Sequence, residues 1–278
     1  MMYDLHIHML LDGVDFRAAI AMHRPQPNEP RIRQVLAAYQ SAGVTHLRDG
    51  GDRFGVCRLA KAIAPEYGIT YRMPTAPLFP AGRYGAFLGC GWSDWTEYQC
   101  LLQKAKAGGA DFIKLMLSGI MDFSRFGELS DPPLSPATVK TAIDMAHEAG
   151  FSVMAHCNGA PTVLAAVEAG VDSIEHGAYL TQEVCCALAE SRTAYIPTVS
   201  AIGNLIGCGR FPDEVLRKIV ENSLRSVHWI SEWGGKIGIG SDAGAYCVPH
   251  VTGARTEQQW LRGIATKNAQ IFRIFSRG

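Results

Sequence analysis

Six residues in this sequence have side chains suited to holding a cation or moving a proton, and each lies in or at the end of a short apolar run. His6 and His8 stand two apart in "DLHIHML". On a strand, residues two apart face the same side, so both imidazoles point one way, inward if Leu5 and Ile7 face helices. The plainer account is two unrelated polar residues near a strand end. Lys114 interrupts the apolar run "DFIKLML", where an unpaired ammonium is costly. It is a salt-bridged lysine, a Schiff-base amine or, after reaction with carbon dioxide, a carbamate; burial and neighbouring cations favour the neutral, reactive amine. His156 in "VMAHCNG" and His176 in "SIEHGAYL" close two further runs, as metal ligands or as hydrogen-bonded core residues. Asp242 ends "IGIGSD", with Gly238 and Gly240 leaving room beneath it. An N-cap role for Asp242 is the alternative, but the loop to the next helix is long for one.

These residues need elements to carry them. Eight short β-rich runs alternate with helical patterns: "YDLHIHM", "VTHLRDG", "TYRMPTAPL", "DFIKLML", "FSVMAHC", "DSIEHGA", "AYIPTVS" and "KIGIGSD". Helices are predicted over "PRIRQVLAAYQSAG", "SPATVKTAIDMAHEAG" and "DEVLRKIVENSLRSVHWISEWGG", with a last one over "RTEQQWLRGIATKNAQIFRIF". Gly43, Gly68, Gly150 and Gly170 sit where a helix must stop before the next strand. The rhythm predicts a (β/α)8 TIM barrel, one domain over residues 1–278; a doubly wound sheet shares the alternation. The six residues favour the barrel, because they come from strands one, four, five, six and eight and barrel sites gather at the C-terminal rim. Imidazole nitrogens and oxygen anions together suit zinc and similar divalent ions.

Composition excludes several other roles. The chain has 278 residues, 47% hydrophobic, with 26 basic against 26 acidic side chains. That charge balance recommends neither nucleic acid nor an anionic membrane as partner. The first residues lack a secretory pattern and no apolar run spans a bilayer. Eight cysteines without CxxC spacing suggest reduced thiols and a cytoplasmic protein.

The phrases "GVTHLRDGG", "GADFIKLMLSG", "AHCNG", "AGVDSIEHG" and "GIGSDAG" resemble the amidohydrolase superfamily of metal-dependent (β/α)8 hydrolases, closest to its imidazolonepropionase-like and Xaa-Pro dipeptidase-like branch. The resemblance implies two divalent ions, zinc the first choice. His6, His8 and Asp242 would hold one, His156 and His176 the other, and a carbon dioxide-derived carbamate on Lys114 would bridge them. It implies a hydroxide nucleophile between the ions, with Asp242 taking its proton and passing it to the leaving group. Mononuclear deaminases of the superfamily carry a glutamate shortly after the fifth-strand histidine. Here Cys157, Asn158 and Gly159 follow His156, which argues against nucleobase deamination. Relatives in this branch flank the barrel with a small β-sandwich. This chain begins on the histidine strand and stops at "QIFRIFSRG", so the expectation is a barrel without a sandwich, with a cloned fragment as the other reading.

The function expected is hydrolysis of a C–N bond in a small-molecule amide, cyclic amide or peptide. A lactone, ester or phosphotriester hydrolase is the same-site rival; a non-catalytic binding barrel is the rival of another class. Loops after the third and fourth strands make Arg83, Tyr84 and Arg125 candidates for a substrate carboxylate, and His250, in the last loop, a candidate substrate contact. His46, Arg48 and Asp49 read as a structural hydrogen-bonded group, and His23, His147 and His228 as structural. A homo-oligomer is left open.

Overall fold

The structure, a computed structural model, describes residues 2–276. Strand β1 (Met2–Ile7) is followed by α1 (Phe16–Met22) and α2 (Glu29–Ser41). Then come β2 (Val44–Asp49), α3 (Val56–Ile63), a 3-10 turn (Ala64–Tyr67), β3 (Thr70–Arg72), β4 (Pro77–Pro80) and β5 (Cys90–Trp92). The middle of the chain runs α4 (Trp95–Ala107), β6 (Ile113–Met116), α5 (Pro136–Glu148), β7 (Val153–Cys157), α6 (Ala160–Glu168) and β8 (Ser173–His176). The rest is α7 (Gln182–Glu190), β9 (Ala194–Ile196), α8 (Ser200–Gly203), α9 (Asp213–Glu232), β10 (Lys236–Ile237), α10 (Thr252–Trp260) and α11 (Asn268–Ile274).

Local chemistry accounts for these elements. In α5 the Ser135 hydroxyl caps Thr138 N, Pro136 occupies the first turn, and Val139, Ala142, Ile143 and Ala146 make one buried stripe. In α2 the Asn28 side chain caps Arg31 N, and Ile32, Val35, Leu36 and Tyr39 face the core. Gly43, Gly68, Gly150 and Gly170 all adopt the left-handed conformation expected of helix stops.

Every strand pair is parallel. One sheet has the order β1-β2-β3 and the other β10-β9-β8-β7-β6-β4-β5. Backbone bonds tie the two sheets at both edges. On one side Leu5 N donates to Ile239 O (2.8 Å), Asp242 N to His6 O (2.8 Å) and His8 N to Ala243 O (2.7 Å); on the other, Asp111 N donates to Met73 O (2.9 Å). The fold is thus α/β with parallel sheets whose first and last segments meet.

The segment predicted as one third strand is two. Pro74 has no N–H to donate, and Thr75 turns left-handed. β3 therefore pairs with β2, while β4 pairs with β6 and the added β5. The eighth predicted strand is regular only over Lys236–Ile237. Gly238 and Gly240 carry the chain past it, and a Cβ on Gly240 would come within 2.9 Å of both His6 N and His6 Cβ. The last predicted helix is broken into α10 and α11, with Gly263 left-handed between them. Ile7 packs with residues of α2 and α3, as expected. Leu5 instead joins Phe112, Ile196, Ile271 and Phe275.

Candidate active site

His6 is the penultimate residue of β1 and His8 lies one position beyond it. Lys114 sits on β6, His156 on β7 and His176 at the end of β8. Asp242 lies five residues past β10, on the segment bonded to His6. All six line one cavity of about 610 Å³. His176 (φ 69°) and Asp242 (φ 59°) are left-handed non-glycine residues. Such backbone costs about 1–3 kcal/mol per residue and persists only where surrounding structure imposes it.

The donor atoms converge most closely at one point. Among the described residues, ligand atoms of His6, His8 and Asp242 all lie within 4.8 Å of one another. Asp242 Oδ1 is 3.3 Å from His8 Nε2 and 3.7 Å from His6 Nε2. His6 Nε2, His8 Nδ1 and Lys114 Nζ are buried and have no hydrogen-bond partner, an arrangement costly in protein alone and suited to a cation. The rings of His156 and His176 are 4.6 Å apart and those of His6 and His176 5.1 Å.

Oxygen atoms behind the site orient the imidazoles. His6 Nδ1 lies 2.8 Å from Glu175 Oε2, His176 Nδ1 2.7 Å from Thr198 Oγ1, and His156 Nε2 3.1 Å from Gly119 O. Each ring thereby has one nitrogen engaged and the other available to a cation, the second-layer arrangement usual for histidine ligands. Glu175 also pairs with Arg48 (2.7 Å) and accepts from Ser173 Oγ (2.5 Å). Neither Glu175 nor its link to His6 was foreseen. The signal was present as "SIEHG", a glutamate buried in a strand beside a predicted ligand.

Burial dominates the site's electrostatics. It pushes His6 down to about 4, against the raising effect of Glu175 and Asp242, and His176 to about 3. It also holds His156 well below the ordinary value, so the rings stand neutral with lone pairs free. Burial lowers Lys114 to about 8, although Glu175 and Asp242 favour its charge. For Asp242, burial works upward but is outweighed by the His8 hydrogen bond and the neighbouring imidazoles, so its carboxyl stays well below the usual range. Glu175 shows the same contest, won by Arg48 and His6.

The outer candidates divide. Tyr84 lines the cavity with its ring 5.1 Å from that of His156. Arg83 does not line it: its guanidinium donates to Pro132 O (2.9 Å). Arg125 is exposed and paired with Asp122 (2.7 Å) and Glu128 (2.9 Å). His250 is also outside the lining, with Nδ1 3.1 Å from Tyr39 Oη and Nε2 2.9 Å from Leu11 O, so both nitrogens are engaged. Arg17 and Arg210, not singled out from sequence, are the arginines lining the cavity, and neither has a carboxylate partner among the described residues. His46, Arg48 and Asp49 do not form one group. His46 stacks on Tyr3, Arg48 reaches Glu175, and Asp49 accepts from Met9 N and Tyr71 Oη.

A parallel α/β scaffold thus gathers four histidines, a carboxylate and a buried lysine over one cavity. The matching family model, described as the amidohydrolase family, covers residues 2–269. The chain belongs to that family. The ochratoxinase of Aspergillus niger is 29% identical over 276 aligned residues, covering 87% of this chain and 57% of that protein. Its crystal structure superposes with TM-score 0.76 at 23% identity, over 98% of this chain and 69% of that one. A Xaa-Pro dipeptidase with methionine bound in its active site gives TM-score 0.73 at 21% identity, over 99% and 75%. An uncharacterised protein of Mycobacterium tuberculosis is 29% identical over 169 residues, 59% of this chain and 45% of that protein. The chain spans about half the length of the curated relatives it matches. Among the described residues no helix is long and apolar enough to cross a membrane.

Proposed function

We propose that this protein is a metal-dependent hydrolase of C–N bonds in amides or peptides, built on strands that wrap into a (β/α)8 barrel. The observation that carries the reading is the convergence of His6, His8 and Asp242 beside a buried Lys114 amine with no partner. His6, His8 and Asp242 would hold one divalent ion, zinc first, and His156 and His176 a second. The neutral Lys114 amine would add carbon dioxide and release a proton, leaving a carbamate whose two oxygens suit a bridging position. When bound, the ions lower the pKa of water and polarise an acyl oxygen. Asp242, ionised by its surroundings, accepts a proton from the attacking water and gives it to the departing nitrogen, which leaves as an amine. His6, His156 and His176, kept neutral by burial, would hold the ions and do not act as acids. Glu175, clamped by Arg48, keeps His6 Nδ1 engaged and so aims Nε2 at the site. The family description and the dipeptidase neighbour support a C–N bond.

The cavity supports a substrate with an apolar body and a carboxylate. Its walls include Phe16, Phe87, Phe123 and Phe211, and the exposed Arg17 and Arg210 supply cations at the open side. The decisive experiment measures metal per chain by elemental analysis after mild dialysis, and turnover of an N-acyl amino acid and dipeptide panel against matched lactones. His6→Ala and His176→Ala should each lose metal and amide turnover. Unchanged metal content in both variants, or lactones hydrolysed in preference to amides, would overturn the assignment.

A further inference from the structure

Cys208 and Cys247 lie far apart in sequence, on two loops that border the cavity. The first loop joins α8 to α9 and supplies Arg210 and Phe211 to the lining; the second follows Asp242 and supplies Ala245 and Tyr246. Both thiols pack against the same cluster around Val199, Leu205 and Leu216, and the Cys208 sulfur lies near enough to Cys247 to act on it electrostatically. Neither belongs to the cavity lining. Their loops are joined by further contacts. Asn204 Nδ2 donates to Cys247 O (3.0 Å), and the Arg210 guanidinium lies 4.8 Å from the Tyr246 ring centroid.

Both cysteines sit on hydrogen-bonded turns. Cys247 is left-handed (φ 65°), and its N–H bonds Gly13 O (2.8 Å), so its backbone is tied on both sides. Cys208 stands between Gly207 (φ 82°) and Gly209 (φ 75°). Added side chains at these glycines would meet nothing within 4 Å, so backbone conformation and not space calls for glycine there. The turn is closed by hydrogen bonds of its own, Cys208 N to Leu205 O (3.0 Å) and Gly207 N to Asp213 Oδ1 (2.8 Å).

We propose that Cys208 and Cys247 are a redox-sensitive pair whose oxidation by a peroxide forms a disulfide that fastens the α8–α9 loop to the loop after Asp242 across one side of the cavity. One sulfur attacks the peroxide O–O bond, becomes a sulfenic acid and releases water. The other attacks that sulfenic sulfur, forms the S–S bond and expels its oxygen as a second water. Two thiols and one hydrogen peroxide give one disulfide and two waters. The inference stands whether or not the hydrolytic reading is correct, because its readouts need no substrate.

The test treats the full chain with stoichiometric hydrogen peroxide, quenches free thiols, and combines intact mass with peptide mapping under non-reducing conditions. The expected result is a loss of two hydrogens per chain, a Cys208–Cys247 cross-linked peptide, and reversal by dithiothreitol. Cys208→Ser and Cys247→Ser should each abolish the cross-link. Hydrogen exchange over residues 204–211 should slow at least severalfold in the oxidised protein and recover on reduction. Sulfenic or sulfinic adducts without a cross-link, a cross-link through any other cysteine, or no reaction would overturn the pair. Unchanged exchange in the cross-linked protein would overturn the fastening of the loop.

Discussion

Lys114 is the residue at which burial and chemistry meet most sharply. Its amine is fully buried with no partner, and burial lowers its pKa to about 8. A carbamate there would reverse the sign of the charge, so cation binding and lysine modification should stabilise each other. Lys114→Ala is expected to keep the fold but lose metal, and a short carboxylic acid added to the variant should restore part of it. Lys114→Arg should not, because guanidinium cannot form the carbamate. Full metal content in Lys114→Ala would remove the residue from the site. Arg17 and Arg210 lead to a second expectation. Replacing either by alanine should raise KM roughly fivefold to tenfold for an amide substrate bearing a carboxylate, and leave the carboxamide analogue nearly unchanged. Equal effects on both analogues would show that no charge is being read.

At the scale of elements, the candidate ligands lie on strands or on the segments just past them, and His6, His156 and His176 are each steadied by a neighbouring element. The helices are fastened to that scaffold by polar contacts of their own. His147, in the last turn of α5, has Nε2 2.9 Å from Asp172 Oδ2, and the same oxygen accepts from Val153 N (2.7 Å) at the start of β7. The bond to Asp172 raises the His147 pKa, with burial opposing. A histidine whose folded pKa is raised adds stability that is fully present below its unfolded pKa, near 6.5, and is lost as pH rises through the folded value. The stability gap between wild type and His147→Ala should therefore be widest below about pH 6.5 and narrow in more alkaline buffer. Urea unfolding at a series of pH values would check this; a gap that widens with pH would contradict it.

At the scale of the whole molecule, Arg48 links elements that are remote in sequence. From β2 its guanidinium reaches Leu5 O (2.5 Å) on β1 and Ser173 (3.0 Å) and Glu175 (2.7 Å) on β8, and it lies 4.4 Å from the Phe275 ring centroid beyond α11. Arg48→Met should cost about 3–5 kcal/mol, because it leaves the Glu175 carboxylate buried without its charge partner. The double variant Arg48→Met with Glu175→Gln should recover part of that loss, since the two residues share one network. Denaturant unfolding of the two single variants and the double gives the coupling directly, and strictly additive losses would refute it. Metal content should fall in Arg48→Met as well, through the loosened orientation of His6.

The ligand candidates were legible in the sequence because each is a local anomaly: a paired histidine, a lysine in an apolar run, polar residues closing strands. The helix stops and the buried stripes of α2 and α5 were legible for the same reason, since glycine conformation and 3.6-residue periodicity are local properties. What reaches across the chain was not. Arg48 and Glu175 lie 127 residues apart, and nothing in either neighbourhood marks the other as its partner. Arg83, Arg125 and His250 had suitable chemistry in suitable loops, yet each is satisfied elsewhere, by Pro132 O, by Asp122 and Glu128, and by Tyr39 and Leu11. Arg17 and Arg210 reach the cavity in their place. Residue type and spacing determined which groups can do the chemistry. Which of them meet was decided by loop paths and by the competition of backbone carbonyls and carboxylates for each buried donor, and only the packed structure resolves that competition.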